Sequence, residues 1–561
     1  MTASRSDSLR GGGRATGGPT AAAHRAPAAT LFGGSADLAG TGQLLRLYLR
    51  RDRIVLPLWS LLIGLMPAFQ VVSIKDLYTT QAQIDDFART TADSPALIAM
   101  YGPVFSTELG SIGTWKAGAM YTMIAIATIL TVIRHTRVEE ETGRAELVGA
   151  TSIGRFAGLT AALIMTFGGA LVAGIACAAS LYATDLPAAG SLAFGAALAA
   201  SGIVWGAIAA VAAQVSAGAR VARGVAFAAL GAAFALRAVG DAGNGVLSWL
   251  SPIGWSLQIR PYADERWWVL LPLATVAVLA TGAAYALLAS RDTGSGLLAE
   301  RPGPAAAAPG FAGPVALAWR LQRGTLLAWT VGFGLYGLLI GGAVNSVGDM
   351  LDDSGAITDL VTRMGGSESL EESFIAYAIT MLAAAAGAYS ISAALRLHDE
   401  ESSQRAEATL AAAVGRTRYA LSHIGFALAG PAIALLTAGL AIGVVYGLST
   451  GEFGEKLPES LAAAAVQAPA VWVVTGITIA IFGLAPRYTP VAWGVLSGMI
   501  VIFFVGSLDG LPQWVVDLVP FVHPPKLPGA AFEATPILWL LGIAAALLAV
   551  GVAAYRRRDL R

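Results

Sequence analysis

The chain has 561 residues, of which 56% are hydrophobic and only 13% are charged, with 36 acidic and 36 basic residues. A soluble protein carries about 25% charged residues, and here apolar stretches of about 20 residues, each able to cross a bilayer, recur along the chain. This composition excludes an ordinary soluble domain and predicts an all-α polytopic membrane protein. The single cysteine, Cys177, lies in an apolar run, which excludes a disulfide within the chain and a cysteine-based metal cluster.

The first 40 residues are rich in Gly, Ala, Ser and Arg and contain no apolar core of a signal peptide. We predict that residues 1–40 form a disordered cytoplasmic tail. In the following "GQLLRLYLRRDR", Gln43, Arg46, Arg50 and Arg53 form one polar stripe while the leucines face away. This pattern suits a helix that lies in the plane of the headgroups. The alternative is a simple positive flank before the first span.

Twelve apolar runs are long enough to be membrane spans. They fall at about 54–74, 115–134, 156–183, 189–216, 221–240, 267–289, 325–346, 374–395, 419–448, 459–484, 489–507 and 535–555. When the N-terminus is placed in the cytoplasm, most Lys and Arg residues fall on the inner side, including the arginine clusters before the first span and after the last. The sequence therefore predicts a multi-pass protein of the cell membrane with both termini in the cytoplasm.

The chain repeats itself. Residues 50–65 align with 320–335, and the charged stretch "RVEEETGRAEL" at 137–147 aligns with "HDEESSQRAEA" at 398–408. Because each half has six spans, an even number, both halves enter the membrane from the same side, so the repeats are parallel and a path between them is expected. The predicted organisation is a tail (1–40), a first six-span half (41–290), a cytoplasmic linker (291–313) and a second six-span half (314–561).

The repeated charged stretch follows the second span of each half, on the cytoplasmic side. Its members are Glu139, Glu140, Arg144, Glu146 and Arg155 in the first half, and Glu400, Glu401, Arg405, Glu407 and Arg416 in the second. Helical spacing predicts i, i+4 ion pairs from Glu140 to Arg144 and from Glu401 to Arg405. Two copies on the inner side would give one docking element per half for a partner. The alternative is that they are solvated helix ends.

The energy source is constrained by what the spans lack. An ion-coupled carrier keeps ionisable side chains within its helices, whereas the middle of each predicted span has no Asp, Glu, Lys or Arg. The chain also has no phosphate-binding loop of the G-x-x-x-x-G-K-[ST] type. We therefore expect no cofactor in this chain, and ATP with magnesium in a partner. The alternatives are a twelve-span secondary transporter, or a membrane enzyme with a metal at the outer Asp349, Asp352 and Asp353.

The pattern E-E-x-x-x-R-x-E followed by a further Arg resembles the ABC-2 type exporter permeases. With its fused halves and the outer segment "SPIGWSLQIRPY", the chain looks like the actinobacterial permeases for polyketide antibiotics, the tetronasin-type group. The resemblance covers about residues 41–561 and implies a type V exporter fold with a non-enzymatic permease subunit. It implies interfacial elbow helices at 41–53 and 314–323, and coupling segments at 138–150 and 399–411.

The resemblance also implies partners and a cargo. A homodimer of a separately encoded ABC ATPase would bind beneath the coupling segments, and the cargo would be a lipophilic or amphiphilic small molecule such as an antibiotic. The other partner is the lipid bilayer, and no nucleic acid is expected. The second and fifth helices of each half would line the path, although packing or lipid contact is the alternative for each side chain alone. The side chains that this arrangement brings toward a cargo are Tyr121, Met123, Phe227, Phe234, Tyr377, Met381, Tyr389 and Trp493.

Overall fold

The computed structural model describes residues 35–92, 95–216, 218–292, 295–297, 306, 313–352, 370–412, 414–506 and 512–558. Within these ranges all regular elements are helices, which confirms the all-α class. Most of the predicted tail and linker lies outside the described residues. The last part of the predicted tail differs from the expectation, because Ser35–Leu38 form a short 3-10 helix.

Each half is a series of long helices joined by shorter ones. The first half contains α1 (Thr41–Arg51), α2 (Val55–Leu77), α3 (Gln81–Ala92), α4 (Pro95–Tyr101), α5 (Leu109–Trp115), α6 (Ala119–His135), α7 (Arg137–Glu141), α8 (Arg144–Gly149), α9 (Ala157–Tyr182), α10 (Ala188–Val215), α11 (Ala219–Ala242), α12 (Pro252–Gln258) and α13 (Leu270–Ala289). The second half contains α14 (Pro314–Asp352), α15 (Leu370–Ser402), α16 (Arg405–Leu410), α17 (Arg416–Thr450), α18 (Phe453–Leu484), α19 (Val491–Gly506), α20 (Gln513–Val516) and α21 (Ala534–Arg557).

Eleven helices among the described residues are long and apolar enough to cross a membrane. They overlap eleven of the twelve predicted spans, which confirms a multi-pass membrane protein. The remaining predicted span, 489–507, is α19 with 16 residues. At 1.5 Å per residue this helix is about 24 Å long, shorter than the roughly 30 Å of hydrocarbon. The twelfth span therefore stays a prediction.

The first predicted elbow forms the separate amphipathic helix α1. It buries Leu44 and Tyr48 against the start of α9 and leaves Gln43, Arg46 and Arg50 exposed. The helix ends before Asp52, whose buried carboxylate lies 3.1 Å from Arg134 Nη1 and 2.8 Å from His135 Nε2. The polar stripe read from the sequence is thus the exposed face of a real helix.

The second predicted elbow, 314–323, is wrong as a separate element, because these residues are the first turns of the continuous helix α14. The residue aligned with Asp52 is the neutral Gln322, which approaches His423 Nδ1 at 3.3 Å from within the helix. This contact leaves the helix unbroken, because α14 runs from Pro314 to Asp352.

The segment before α1 forms a brace over the loop that follows α8. The backbone N–H of Gly154 donates to the Ala39 carbonyl at 2.9 Å, and that of Phe156 donates to the Asp37 carbonyl at 3.0 Å. A β-carbon on Gly154 would collide with the Asp37 backbone, so only glycine fits. The aligned Gly415 of the second half has nothing within 4 Å of such a β-carbon among the described residues.

Small residues bring the long helices of each half close together. In the first half a β-carbon on Gly174 in α9 would lie 2.5 Å from the Gly195 carbonyl of α10. In the second half a β-carbon on Gly439 in α17 would lie 2.7 Å from the Ser460 carbonyl of α18. Such close backbone approach is how helices associate within a membrane.

Both charged stretches lie at the same end of the molecule, called the inner end. Glu141 accepts the backbone N–H of Ala219, at the start of α11, at 3.1 Å. Arg220, the next residue, interacts electrostatically with Asp399 of the second half. At the opposite, outer end, α3 and α4 of the first half pack against α14 of the second.

This arrangement predicts a labelling pattern in intact cells. In a Cys177→Ala background, Ser106→Cys, in the outer loop before α5, should react with a membrane-impermeant thiol reagent. Ser152→Cys and Ser403→Cys, both exposed at the inner end, should react only after the cells are permeabilised. Labelling of Ser403→Cys in intact cells would contradict a cytoplasmic inner end.

Candidate functional site

The two coupling segments share one backbone shape. In the first half, α7 and α8 are separated by Gly143, which has a left-handed φ of 71°. In the second half, α15 and α16 are separated by Gln404, which has a left-handed φ of 59°. The left-handed conformation costs a residue with a side chain about 1–2 kcal/mol more than it costs glycine. The second half nevertheless breaks its helix at the aligned residue, Gln404. The loss of the glycine therefore leaves the shape of the second coupling segment intact.

The i, i+4 ion pairs expected from the sequence are not formed. Arg144 Nη1 lies 3.6 Å from Glu139 rather than Glu140. Arg405 Nε likewise lies 3.1 Å from Glu400 rather than Glu401. The left-handed residue between glutamate and arginine ends one helix and starts another, so the regular helical spacing on which the expectation rested no longer applies.

Glu140 is instead bound to the end of the last helix of its own half. Arg291, just beyond α13, donates from both terminal nitrogens to the two Glu140 oxygens at 2.6 and 2.8 Å. Arg137 adds a third contact at 2.8 Å. The side chains of Arg291 and Arg137 are 2% and 0% exposed, and Gln214 accepts from Arg291 Nε at 2.8 Å. This arrangement is called the ionic clamp of the first half.

The second half has a matching ionic clamp. Arg558, which follows α21, donates to Glu401 and to the Phe482 carbonyl at 3.1 Å. Its guanidinium lies 4.5 Å from the centre of the Phe482 ring, a distance at which a cation is attracted to the ring face. In both halves the second glutamate of the pair thus holds the coupling segment to the last long helix.

Arg155 and Arg416 close the same corner from the other side. Arg155 donates to the carbonyls of Leu288 and Arg291 at 3.0 and 2.8 Å, and Arg416 donates to the Arg558 carbonyl at 2.8 Å. These carbonyls end or follow the last helix of each half, where a cation also interacts favourably with the helix dipole. The two arginines therefore act within the chain.

The first glutamate of each pair makes different contacts in the two halves. Glu139 binds Arg51 at the end of α1 at 2.7 Å, whereas Glu400 binds Arg396 on its own helix at 2.9 Å. Burial raises the pKa of the adjacent Tyr48 to about 12, and the Glu139 carboxylate adds to the shift. The first coupling segment is thus connected to the elbow helix α1.

The remaining members of the repeated stretch face outward on α8 and α16. Glu146 and Glu407 are exposed, and Leu147 beside Glu146 is 75% exposed. Ala408, which aligns with Leu147, is also exposed. These four residues form the outward face of α8 and α16 and are accessible to a second protein, as are the exposed side chains of Arg144 and Arg405.

The predicted path residues fall into distinct environments. Tyr121 is buried inside the first half with its ring 5.1 Å from that of Phe194, and Tyr389 is buried inside the second with its ring 5.9 Å from that of Trp329. Packing within each half accounts for these two tyrosines. The half-buried members are Phe227, Phe234, Tyr377 and Met381, and the exposed members are Met123 and Trp493.

The aspartates of the membrane-enzyme alternative, Asp349, Asp352 and Asp353, lie outside the residues whose side chains the structure describes. In the described part of the chain, no group of His, Cys, Asp and Glu is arranged to hold a metal ion.

Sequence reasoning missed the arginines of the ionic clamps. Arg291 and Arg558 are the second-last residues of the matching segments "GAAYALLASRD" and "VAAYRRRD" that close the two halves. An arginine repeated at the end of both halves, on the same side as the repeated glutamates, was the available signal.

Comparison with known proteins places the chain. The family model described as "Multidrug efflux system permease Rv1217c, C-terminal domain" matches residues 43–288 and again residues 311–556. The multidrug efflux system permease protein Rv1217c of Mycobacterium tuberculosis is 54% identical over 542 residues, which cover 96% of this chain and 98% of that protein. The chain therefore belongs to the family of multidrug efflux system permeases that this model describes.

Proposed function

We propose that the chain is the membrane-spanning permease subunit of an ATP-driven exporter of the ABC-2 type, which extrudes lipophilic or amphiphilic compounds such as antibiotics. The observation that carries the proposal is the 54% identity, over nearly the whole length of both chains, to a permease named for multidrug efflux. The all-helical architecture with eleven membrane-capable helices is the one that such a subunit requires.

A separately encoded ATPase, acting as a dimer, is the proposed source of energy. The chain has no phosphate-binding loop, so ATP and magnesium would be held by that partner. The coupling segments offer two copies of one shape at one end of the molecule, which suits the two subunits of a dimer. Each ionic clamp joins its segment to the last long helix of its half, so a push on α8 or α16 would reach the membrane helices directly.

One observation favours an ion-coupled secondary transporter instead. Asp52 Oδ2 and His135 Nε2 lie 2.8 Å apart in a buried pair. Buried ionisable groups in membrane proteins often serve as proton relays. The pair lies at the inner end of α6, however, and Arg134 also approaches the Asp52 carboxylate. This placement suits a structural bond between α1 and α6 better than a relay along a transport path.

The proposal predicts how transport responds to its energy source. Purified permease reconstituted with the ATPase should move a lipophilic antibiotic only when ATP and magnesium are supplied, and collapse of the proton gradient should leave transport nearly unchanged. Accumulation of a fluorescent cargo in vesicles would measure both effects. Vesicles that contain the permease alone are the control. Transport by that control, driven by a pH gradient, would overturn the ATP-driven mechanism in favour of the secondary transporter.

A further inference from the structure

The helix α4 lies at the outer end between the two halves. It packs against α11 of the first half and α14 of the second. Met100 packs against the buried apolar cluster of the second half. Burial raises the pKa of Tyr101 to about 12, and the nearby phenols of Tyr336 and Tyr377 add to the shift. The last turn of α4 is thus half-buried between helices that belong to different halves.

Arg237 in α11 holds this turn in place. Its side chain is 3% exposed, and its Nη2 donates to the Met100 carbonyl at 3.0 Å. The acceptor is the backbone carbonyl of Met100. The bond therefore fixes the end of α4 whatever side chain stands at position 100. A charged donor makes the bond stronger than an ordinary backbone hydrogen bond.

The charge of Arg237 is balanced within the first half. Asp241, one turn further along α11, lies 3.4 Å from Arg237 Nη1 and is 2% exposed. Ser248 donates to the other Asp241 oxygen at 2.5 Å. The guanidinium also lies over the Phe234 ring at 4.5 Å. Arg237 is therefore fixed to α11 on one side and bound to α4 on the other.

Arg237 also has one buried nitrogen whose desolvation is not offset by a hydrogen bond. Its Nε is buried and has no hydrogen-bond partner, and a buried polar group left unpaired is destabilising. A buried ion pair adds little net stability compared with apolar residues of similar size. Arg237 therefore contributes a specific bond between α11 and α4 rather than a large net gain in stability.

We propose that α4 is the outer plug of the transport path and that Arg237 is the positioning residue that joins the plug to α11. The inference rests on the proposed function, because it requires a path between the halves. The plug ends beside Phe234 of α11 and Tyr377 of α15, which belong to the helices expected to line that path. A displacement of α11 relative to α4 breaks the Arg237–Met100 bond and releases the plug, so the outer mouth opens when the fifth helix of the first half moves away from α4.

Access to a reporter cysteine below the plug tests this proposal. In a Cys177→Ala background, Met381→Cys places a thiol on the half-buried face of α15, and a membrane-impermeant maleimide added from outside measures its exposure. The double variant Arg237→Gln with Asp241→Asn removes the anchor without leaving a buried charge unpaired. The reporter should then react at least about tenfold faster than in the parent, since the loss of one hydrogen bond to a charged group shifts an equilibrium by at least that factor.

The matched control is Arg89→Gln. Arg89 is also an outer arginine, but its side chain is 73% exposed and binds Asp86 and the Asp85 carbonyl within its own helix α3, and its loss should leave the labelling rate unchanged. Tyr101→Ala removes a bulky side chain from the end of the plug and keeps the Arg237–Met100 bond, and it should also increase the labelling rate. This second variant tests the proposal if the double variant does not reach the membrane.

Two results would overturn the plug. One is an unchanged labelling rate in whichever of the two plug variants is membrane-inserted. The other is a parent whose reporter reacts as fast as an exposed outer Thr107→Cys. The labelling needs neither ATP nor cargo, so a failure of the proposed export function would appear separately, as absent transport with the labelling pattern intact.

Discussion

Replacing Glu140 with arginine is expected to lower the thermal stability and the yield of folded protein severely. Glu140 neutralises Arg291 and Arg137, whose side chains are 2% and 0% exposed. Breaking a buried ion pair by removing one partner costs about 3–5 kcal/mol, because the other charge is left buried and uncompensated. Reversal adds a third positive charge to the same corner. Thermal unfolding of the detergent-extracted protein, followed by size-exclusion chromatography, measures the loss.

Two further variants separate an internal clamp from a contact with a partner protein. Glu140→Arg combined with Arg291→Glu should recover a substantial part of the stability, because the pair is restored with its charges exchanged. Glu146→Arg reverses an exposed glutamate on the same coupling segment and should change stability by no more than about 0.5 kcal/mol. Equal stability of Glu140→Arg and Glu146→Arg would show that the first ionic clamp does not hold the fold together.

The double variant Leu147→Glu with Ala408→Glu should fold normally but fail to retain the ATPase. Leu147 is 75% exposed, so its replacement removes no packing from the permease itself. Burying a leucine side chain at an interface contributes about 1.5–3 kcal/mol, and a charge placed in its position adds a desolvation cost. Recovery of the ATPase on an affinity-tagged permease should fall at least about tenfold, while the amount of permease in the membrane stays the same.

The control for this experiment is Leu297→Glu. Leu297 is an exposed apolar residue (43% exposed) joined to the inner end of α10 by a backbone bond to Gln214 at 3.2 Å, but it lies outside both coupling segments. Its substitution should leave ATPase recovery unchanged. Normal recovery and transport by the Leu147 and Ala408 double variant would show that α8 and α16 are solvated helix ends, the alternative that the sequence left open.

The long helices could be read from the sequence because their signal is local. An apolar run long enough to span a membrane can form few structures other than a helix, because the backbone must satisfy its own hydrogen bonds there. The polar stripe of α1 is visible in the spacing of its residues. The second elbow was predicted wrongly although its sequence aligns with the first: a buried aspartate at position 52 accompanies the end of α1, whereas Gln322 at the aligned position stays within α14. Which of two aligned residues ends a helix depends on the partners that tertiary packing supplies.

The candidate site was predictable in its membership but not in its contacts. The repeated glutamates pointed to a paired element, and the structure brings them together with arginines at the ends of α13 and α21. The expected i, i+4 pairs assumed one continuous helix, whereas Gly143 and Gln404 each break it. Glycine gives a sequence signal for such a break, but glutamine does not, so the second break could be known only by alignment with the first.

The brace that residues 35–39 form over Gly154 and the bond from Arg51 to Glu139 support the first coupling segment in addition to its ionic clamp. A force applied to α8 therefore meets the elbow helix, the brace and the clamp together. The stretch that would supply a matching brace to the second side, 298–312, lies outside the described residues apart from position 306. A homodimeric permease would be bound by its symmetry to two equal sides. Two halves fused in one chain are free of that constraint, so the first glutamate of each coupling segment can have a different partner, Arg51 for Glu139 and Arg396 for Glu400.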